Sequence, residues 1–153
     1  MKIEVLFSEV CNLSGDFQNV EYLRQSLPEA DFIFTSLTDT PYFAENRPDM
    51  VLMGTMTEAI QRRVIETLRP YRDRLEKLID DGVVFLMTGN ACEVFVKHID
   101  YVTEKLSVDG LGLFDLTAKT DLFHRYNGKF LGDIDVIPVV GFRSQFSFLY
   151  GDN

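Results

Sequence analysis

The chain has 153 residues, of which 46% are hydrophobic, enough for one domain, residues 1–153, with a sizeable core. Its formal net charge of −9 disfavours binding to nucleic acid or to anionic membranes, because neither attracts an acidic surface. The two cysteines lack CxxC spacing and the two histidines lie far apart, so neither a disulfide framework nor a metal site is predicted. With no signal-peptide pattern and no apolar run near ~20 residues, we expect a cytoplasmic protein without a membrane span.

The first part of the chain alternates predicted strands with predicted helices. Short apolar runs indicate strands, and apolar residues at helical spacing indicate helices. Thr55 and Glu58 are predicted to form a capping box after the third strand. The predicted elements are strands at Ile3–Phe7, Asp31–Ser36 and Met50–Met53, a helix at Asn19–Leu27, and two helical segments separated near Pro70.

The next segment is predicted to be a strand, a tight turn and a helix. Val83 to Met87 is an apolar run typical of a strand buried on both faces. The turn Thr88-Gly89-Asn90 follows, and Asn90 with Glu93 predicts a capping box at the start of an amphipathic helix. The apolar face of that helix is predicted to carry Val94, Phe95, His98, Ile99 and Val102. In many α/β enzymes such a turn presents a nucleophile, because N–H groups at the helix start can hold an oxyanion.

After Gly110 the chain changes to strand-like segments joined by short turns. They are predicted at Phe114–Lys119, Lys129–Asp135, Val136–Phe142 and Phe146–Tyr150. The predicted fold class is therefore α/β, a doubly wound and mostly parallel sheet sandwich with an antiparallel C-terminal extension. Ligands bind such sheets at the carboxyl ends of the strands. We therefore expect one crevice, surrounded by the loops Cys11–Asn19, Gly54–Glu58 and Thr88–Cys92.

Five segments of the chain form an ordered pattern. They are Asn12 to Asn19, Asp49 to Gly54 with Glu58 and Gln61, Asp80-Asp81-Gly82 with the strand after it, Gly110 to Asp115, and Val140-Gly141-Phe142. In this order they resemble class I glutamine amidotransferase domains of the cobyric acid synthase type, and the resemblance runs over nearly the whole chain. Within that family the pattern is similar to the small glutaminase subunit of lipid II isoglutaminyl synthase. The first segment resembles the family's Asn-Leu-Tyr-Gly-Asp-x-Gly-Asn, and the second resembles its glycine-rich loop.

The departures from the family pattern fall at the residues that carry its chemistry. The family has Cys-Gly-Gly-Tyr-Gln where this chain has Thr88-Gly89-Asn90-Ala91-Cys92, which places Thr88 at the nucleophile position. Arg143 to Ser147 replaces Glu-Asn-His-Gly-Gly, and the family's catalytic His would fall beyond Asn153. The resemblance implies that the crevice is lined by Asn12, Asp16, Gly54, Thr55, Gly89, Asn90 and Gln145.

None of the candidate nucleophiles fits glutamine hydrolysis. An internal Thr hydroxyl such as that of Thr88 is not ionised near neutral pH and has no α-amine as its base, so its expected role is to cap the following helix. Cys92 lies four residues further on and is interpreted as a structural cysteine. Cys11 lies in a crevice loop near Asp16, with no His nearby in the sequence.

The resemblance and the departures together predict a degenerate relative, a pseudoenzyme that binds or scaffolds beside an ATP-dependent ligase. A glutamine-like small ligand is then expected in the crevice, and no cofactor. Two alternatives remain open. The first is an active amidotransferase completed by residues beyond Asn153 or by a partner, and the second is a flavodoxin-like binder of a small ligand.

The end of the chain is rich in apolar residues. The segment Phe142 to Tyr150 carries four aromatic residues, and Tyr150-Gly151-Asp152-Asn153 indicates either a natural terminus or a cut before a further strand. Because an uncovered apolar edge favours self-association, we expect a homo-oligomer through this C-terminal edge.

Overall fold

The computed structural model describes residues 1–151 of the chain, which form two compact units, Met1–Phe95 and a second one that begins at Val96. Within residues 1–151, the first unit contains one sheet and the second contains two. The prediction that residues 1–153 form a single domain depends on how the two units combine, and it stays a prediction. Along residues 1–151, no helix combines the length and the apolar character needed to cross a membrane.

The first unit is α/β, with a parallel sheet of four strands in the order β2-β1-β3-β4. This confirms the parallel sheet predicted from the alternating pattern. Its elements are β1 (Lys2–Leu6), α1 (Phe17–Ser26), β2 (Asp31–Thr35), α2 (Tyr42–Glu45), β3 (Met50–Met53), α3 (Glu58–Leu68), α4 (Arg72–Asp80) and β4 (Val84–Met87). Short 3₁₀ segments lie at Arg69–Tyr71, where Pro70 separates α3 from α4, and at Gly89–Phe95.

The core of this unit follows from the apolar strands at its centre. Ile3 and Val5 of β1 pack with Met50 and Leu52 of β3 and with Val20 of α1. Full burial of such a side chain contributes about 1.5–3 kcal/mol. The loops after β1 and β3 therefore emerge from strands that are packed into this core.

The start of α3 differs from the predicted capping box. Thr57 is the N-cap residue, and its side chain accepts a hydrogen bond from the Ile60 N–H at 3.4 Å. The predicted capping box of Thr55 and Glu58 is wrong, because Thr55 Oγ1 accepts from the Ser14 N–H at 3.0 Å and donates to Asp16 instead.

Burial of β4 on both faces was also a wrong prediction. Val84 is 54% exposed and Leu86 is 36% exposed, although Val83 just before the strand is buried. The physical reason is topological. β4 is an edge strand, and the chain leaves it through a 3₁₀ segment rather than through a crossover helix that would cover this face.

The helix predicted after Thr88 does not form. Gly89–Phe95 is a 3₁₀ segment and leads directly into a strand at Val96–Tyr101. Asn90 and Glu93 form no capping box, because the Asn90 side chain binds the backbone of Met56. The β-branched and aromatic residues of Val96–Tyr101 favour a strand. Val94 and Phe95, which precede it, are buried in the 3₁₀ segment without a helix.

The second unit consists of strands. β5 (Val96–Tyr101), β6 (Leu106–Asp109), β7 (Phe114–Thr120) and β10 (Ser147–Tyr150) form a mixed sheet in the order β10-β7-β5-β6. β8 (Tyr126–Ile134) and β9 (Ile137–Gln145) form a separate antiparallel hairpin. The predicted antiparallel extension is confirmed for the β8–β9 hairpin and for the pairing of β10 with β7, whereas β5 and β7 are parallel.

Candidate functional site

Three polar residues from different loops meet at the carboxyl end of the parallel sheet. Asp16 lies in the loop after β1, Thr55 follows β3, and Thr88 follows β4 directly. β1 is central, with β2 on one side and β3 on the other, so the loops after β1 and β3 flank the point where the strand order reverses. This is the place where open α/β sheets bind their ligands.

Hydrogen bonds to the carboxylate of Asp16 hold this cluster together. The Thr88 hydroxyl donates to Asp16 Oδ1 at 2.5 Å, and the Thr55 hydroxyl donates to Asp16 Oδ2. The backbone N–H of Ser14 donates to the same Oδ2 at 3.2 Å. A carboxylate only 8% exposed is thereby satisfied by three donors from its own chain.

These hydrogen bonds determine the charge of Asp16. Burial raises the pKa of its carboxyl, but the hydrogen bonds from Thr55 and Thr88 outweigh burial, and the pKa lies below its ordinary value. Asp16 is therefore ionised at neutral pH and is a weak base.

The two glycines predicted to line the crevice lie so close to neighbouring loops that a side chain at either position would clash with them. A Cβ on Gly54 would lie 2.2 Å from the carbonyl oxygen of Cys11 and 2.6 Å from the Cβ of Asp16. A Cβ on Gly89, where φ is +51°, would lie 2.3 Å from Cγ2 of Thr55. Glycine at both positions is thus explained by the close packing of these loops.

Asn12 and Asn90 hold the backbone around the cluster. Asn12 Oδ1 accepts a hydrogen bond from the Phe17 N–H at 2.8 Å at the start of α1. Asn90 Oδ1 accepts from the Met56 N–H at 3.1 Å, and Asn90 Nδ2 donates to the Met56 carbonyl at 2.8 Å. Asn90 therefore ties the segment after β4 to the segment after β3.

A buried polar pair beneath Asn90 was not predicted from the sequence as part of the site. Gln61 of α3 donates from Nε2 to the Asn90 carbonyl at 2.7 Å and to Glu93 Oε2 at 3.1 Å. Both side chains are buried. Gln61 occurs at helical spacing with the buried Val64 and Ile65, and a polar residue on an apolar helix face was the signal available.

Both thiols are in surroundings that disfavour the thiolate. Burial, with Glu9 and Asp16 adding to it, raises the pKa of Cys11 to about 12. Burial and the charge of Glu93 raise the pKa of Cys92 to about 11, and its Sγ–H donates to the Gly89 carbonyl at 3.0 Å. Neither cysteine is activated as a nucleophile.

Gln145, the remaining predicted crevice residue, lies at the end of β9 in the second unit. Its Oε1 accepts from Arg143 Nε at 2.6 Å, and its Nε2 donates to the Ser147 carbonyl at 2.9 Å. The first contact lies within β9, and the second joins the end of the hairpin to β10.

A small cavity lies beside the cluster and shows how closely the loops pack. Its volume is about 10 Å³, and Cys11, Asn12, Asp16 and Gly54 contribute to its lining. Such a volume suits a single water molecule.

The class of protein defined by these observations is α/β, with a polar cluster at the carboxyl end of a four-stranded parallel sheet. No family model matches the sequence, and no curated protein matches it either. Among residues 1–151, no three His, Cys, Asp or Glu side chains are grouped so that they could hold a metal ion.

Proposed function

We propose that the chain is a non-hydrolysing relative of the class I glutamine amidotransferases, with their doubly wound architecture, and that it acts as a binding or scaffolding subunit. The parallel sheet supports the proposal, as does the meeting of the loops that carry the resemblance. By the same resemblance, the partner is an ATP-dependent ligase and the ligand is a glutamine-like small molecule.

The hydrogen bond from Thr88 to Asp16 is the observation that carries this proposal. A hydroxyl attacks a carbonyl carbon only when a base removes its proton. The Thr88 hydroxyl donates a hydrogen bond to Asp16, but hydrogen bonding has lowered the pKa of that carboxyl, so the carboxylate is a poor base for removing the Thr88 proton. Thr88 at the nucleophile position is therefore a structural donor that holds the site together.

The neighbouring thiols do not replace the missing nucleophile. With a pKa of about 11, Cys92 is a thiolate in roughly one molecule in ten thousand at pH 7, and Cys11 in fewer. The thioester chemistry of the family needs a far larger thiolate fraction.

Glutamate release by the purified chain tests the proposal. The protein is incubated with glutamine, alone and with a candidate ligase and ATP, beside the variants Thr88→Ala, Cys92→Ala and Cys11→Ala. We expect the same background rate from all four proteins. Turnover that disappears in one of the variants would instead support the alternative of an active amidotransferase completed by its partner.

Alkylation measures the state of the thiols directly. With iodoacetamide at pH 8, we expect both cysteines of the folded chain to react at least about 100-fold more slowly than a free peptide thiol. The same chain unfolded in urea, which should react like the peptide, is the control. A cysteine that reacts at the peptide's rate in the folded chain would contradict the assignment.

A further inference from the structure

The β8–β9 hairpin exposes apolar side chains on both faces. Within residues 1–151, β8 and β9 pair with each other and with no other strand. A hairpin of two strands is marginally stable in water, and a third or fourth strand stabilises it. Its exposed apolar residues are Tyr126, Phe130, Leu131, Ile134, Ile137, Val140 and Phe142, with Val136 in the turn.

Pro138 shows which backbone groups of the hairpin are free. It lies opposite Asp133, and because proline has no N–H, this pair cannot exchange two hydrogen bonds. Antiparallel pairs alternate, so Leu131–Val140 and Lys129–Phe142 are also pairs without mutual hydrogen bonds. The N–H and C=O groups of Lys129, Leu131 and Asp133 therefore point to the open edge of β8.

The two edges of the hairpin are not equivalent. On β9 the corresponding outward groups belong to Pro138, Val140 and Phe142, and Pro138 offers no donor there. The open edge of β8 has its full set of donors and acceptors at these positions. β8 is therefore the edge better suited to receive another strand.

The charges on β8 are symmetric about its centre. Lys129 and Asp133 lie on the same face, at equal distances in sequence from Leu131, which is 78% exposed. Their partners across the hairpin, Phe142 and Pro138, are uncharged, and neither charge forms an ion pair within residues 1–151. Reversing the direction of the strand exchanges the lysine with the aspartate.

We propose that the open edge of β8 pairs antiparallel with β8 of a second copy of this chain, with Leu131 opposite Leu131. In this register Lys129 of each copy faces Asp133 of the other, so two ion pairs form across the two-fold axis. The outward backbone groups of the three residues also meet one another, which completes the ladder of a four-stranded sheet. The match requires a basic and an acidic residue four positions apart in the order of Lys129 and Asp133, and because β8 itself supplies them, a second copy is favoured.

The edge expected from the sequence, Phe142–Tyr150, overlaps the hairpin at Phe142, and its role stays a prediction. Phe146 and Phe148 are half-buried, with the guanidinium groups of Arg125 and Arg143 at 5.1 Å and 5.6 Å from their ring centroids, while Leu149 and Tyr150 of β10 are exposed. The hairpin, by contrast, carries two positive and two negative charges, so the overall charge of −9 does not repel a second copy there.

Charge exchange on β8, measured by sedimentation equilibrium over a concentration series, tests the proposal. Either single variant, Lys129→Asp or Asp133→Lys, replaces both ion pairs across the two-fold axis with pairs of like charge. We expect the dimer dissociation constant to rise roughly tenfold or more. The double variant Lys129→Asp/Asp133→Lys restores both pairs and should dimerise like the wild type. An equimolar mixture of the two single variants should form a heterodimer, because every pair in it is then opposite in charge.

Glu29→Lys, an exposed position in the first unit, gives the same change in net charge as Asp133→Lys and is the matched control. It should leave dimerisation unchanged, and circular dichroism should show that all variants fold. A wild-type chain that is monomeric at about 100 µM would overturn the proposal. A dimer that persists in both single variants would also overturn it, because its interface would then lie elsewhere.

Discussion

The hydroxyl of Thr88 donates to the carboxylate of Asp16, and this contact joins the loop after the central strand β1 to the end of the edge strand β4. Thr55 donates to the other carboxylate oxygen and adds the loop after β3. One buried carboxylate thus connects three of the four strand ends of the parallel sheet.

Replacing this carboxylate should destabilise the first unit. Asp16→Asn leaves one acceptor oxygen where Thr55, Thr88 and Ser14 need two, and we expect a loss of about 1–3 kcal/mol in the free energy of unfolding. Urea denaturation measures it. A variant as stable as the wild type would show that the hydrogen bonds contribute nothing.

The pH dependence of that loss follows from the lowered pKa of Asp16. A carboxyl with a lower pKa in the folded state contributes stability that is fully present above its unfolded pKa, and loses it as the pH falls through the folded pKa. The difference between wild type and Asp16→Asn should therefore shrink as the pH falls below about 4. Thr88→Val tests the same contact from the donor side.

Gly54→Ala should be among the more harmful small substitutions in the chain. The new Cβ would meet the Cys11 carbonyl oxygen at 2.2 Å, a backbone atom that cannot move without displacing the loop holding Asp16. We expect a loss of about 1–3 kcal/mol, as for overpacked sites. Gly141→Ala is the control, since a Cβ there meets nothing within 4 Å. Equal stability of the two variants would contradict the close packing.

Glu4 is a second buried carboxylate, with the opposite pH dependence. Its Oε1 accepts from the Thr35 hydroxyl and the Tyr42 N–H, both at 2.7 Å, and its Oε2 accepts from the Phe43 N–H at 2.9 Å. Burial raises the pKa of Glu4 despite these hydrogen bonds. Its contribution to stability is therefore fully present below the unfolded pKa and is lost as the pH rises through the folded pKa.

Glu4→Gln directs an amide NH₂ group at backbone donors, so we expect a loss of about 1–3 kcal/mol in the free energy of unfolding at about pH 4, below the ordinary pKa of a glutamate. The contribution of Glu4 to the stability of the wild type falls as the pH rises, whereas the amide of Glu4→Gln does not titrate. The difference in free energy of unfolding between the two proteins should therefore be smaller at pH 8. Unfolding in urea at both pH values measures it, with the exposed Glu45→Gln as the control. A difference that grows with pH would contradict the raised pKa.

The sequence was most informative where local patterns and tertiary structure agree. Met50–Met53 was predicted with its observed bounds, because an apolar run between turn signals becomes a central strand. The helical spacing after Thr88 was misleading, since Val94 and Phe95 are buried by a 3₁₀ segment as well as by a helix. Burial of Val84 could not be judged, because an apolar run does not show whether its strand lies at a sheet edge.

The candidate site was predictable as a group of loops but not in its bonding. Parallel strands bring Asp16, Thr55 and Thr88 to the same edge whatever their side chains do. Which hydroxyl is free to cap a helix depends on contacts distant in the sequence, and Thr55 is bound to Asp16 while Thr57 caps α3. The roles of the predicted crevice residues in ligand binding stay predictions.

The hydrogen bonds of Asp16 also bear on the order of folding. They join residues that are 39 and 72 positions apart, so in an unordered chain each would require the closure of a long loop. Pairing of β1 with β3 and of β3 with β4 closes the same loops beforehand, so the hydrogen bonds form at little further cost in entropy once the sheet exists. We therefore expect substitution of Asp16 to raise the unfolding rate of the first unit more than it lowers the folding rate.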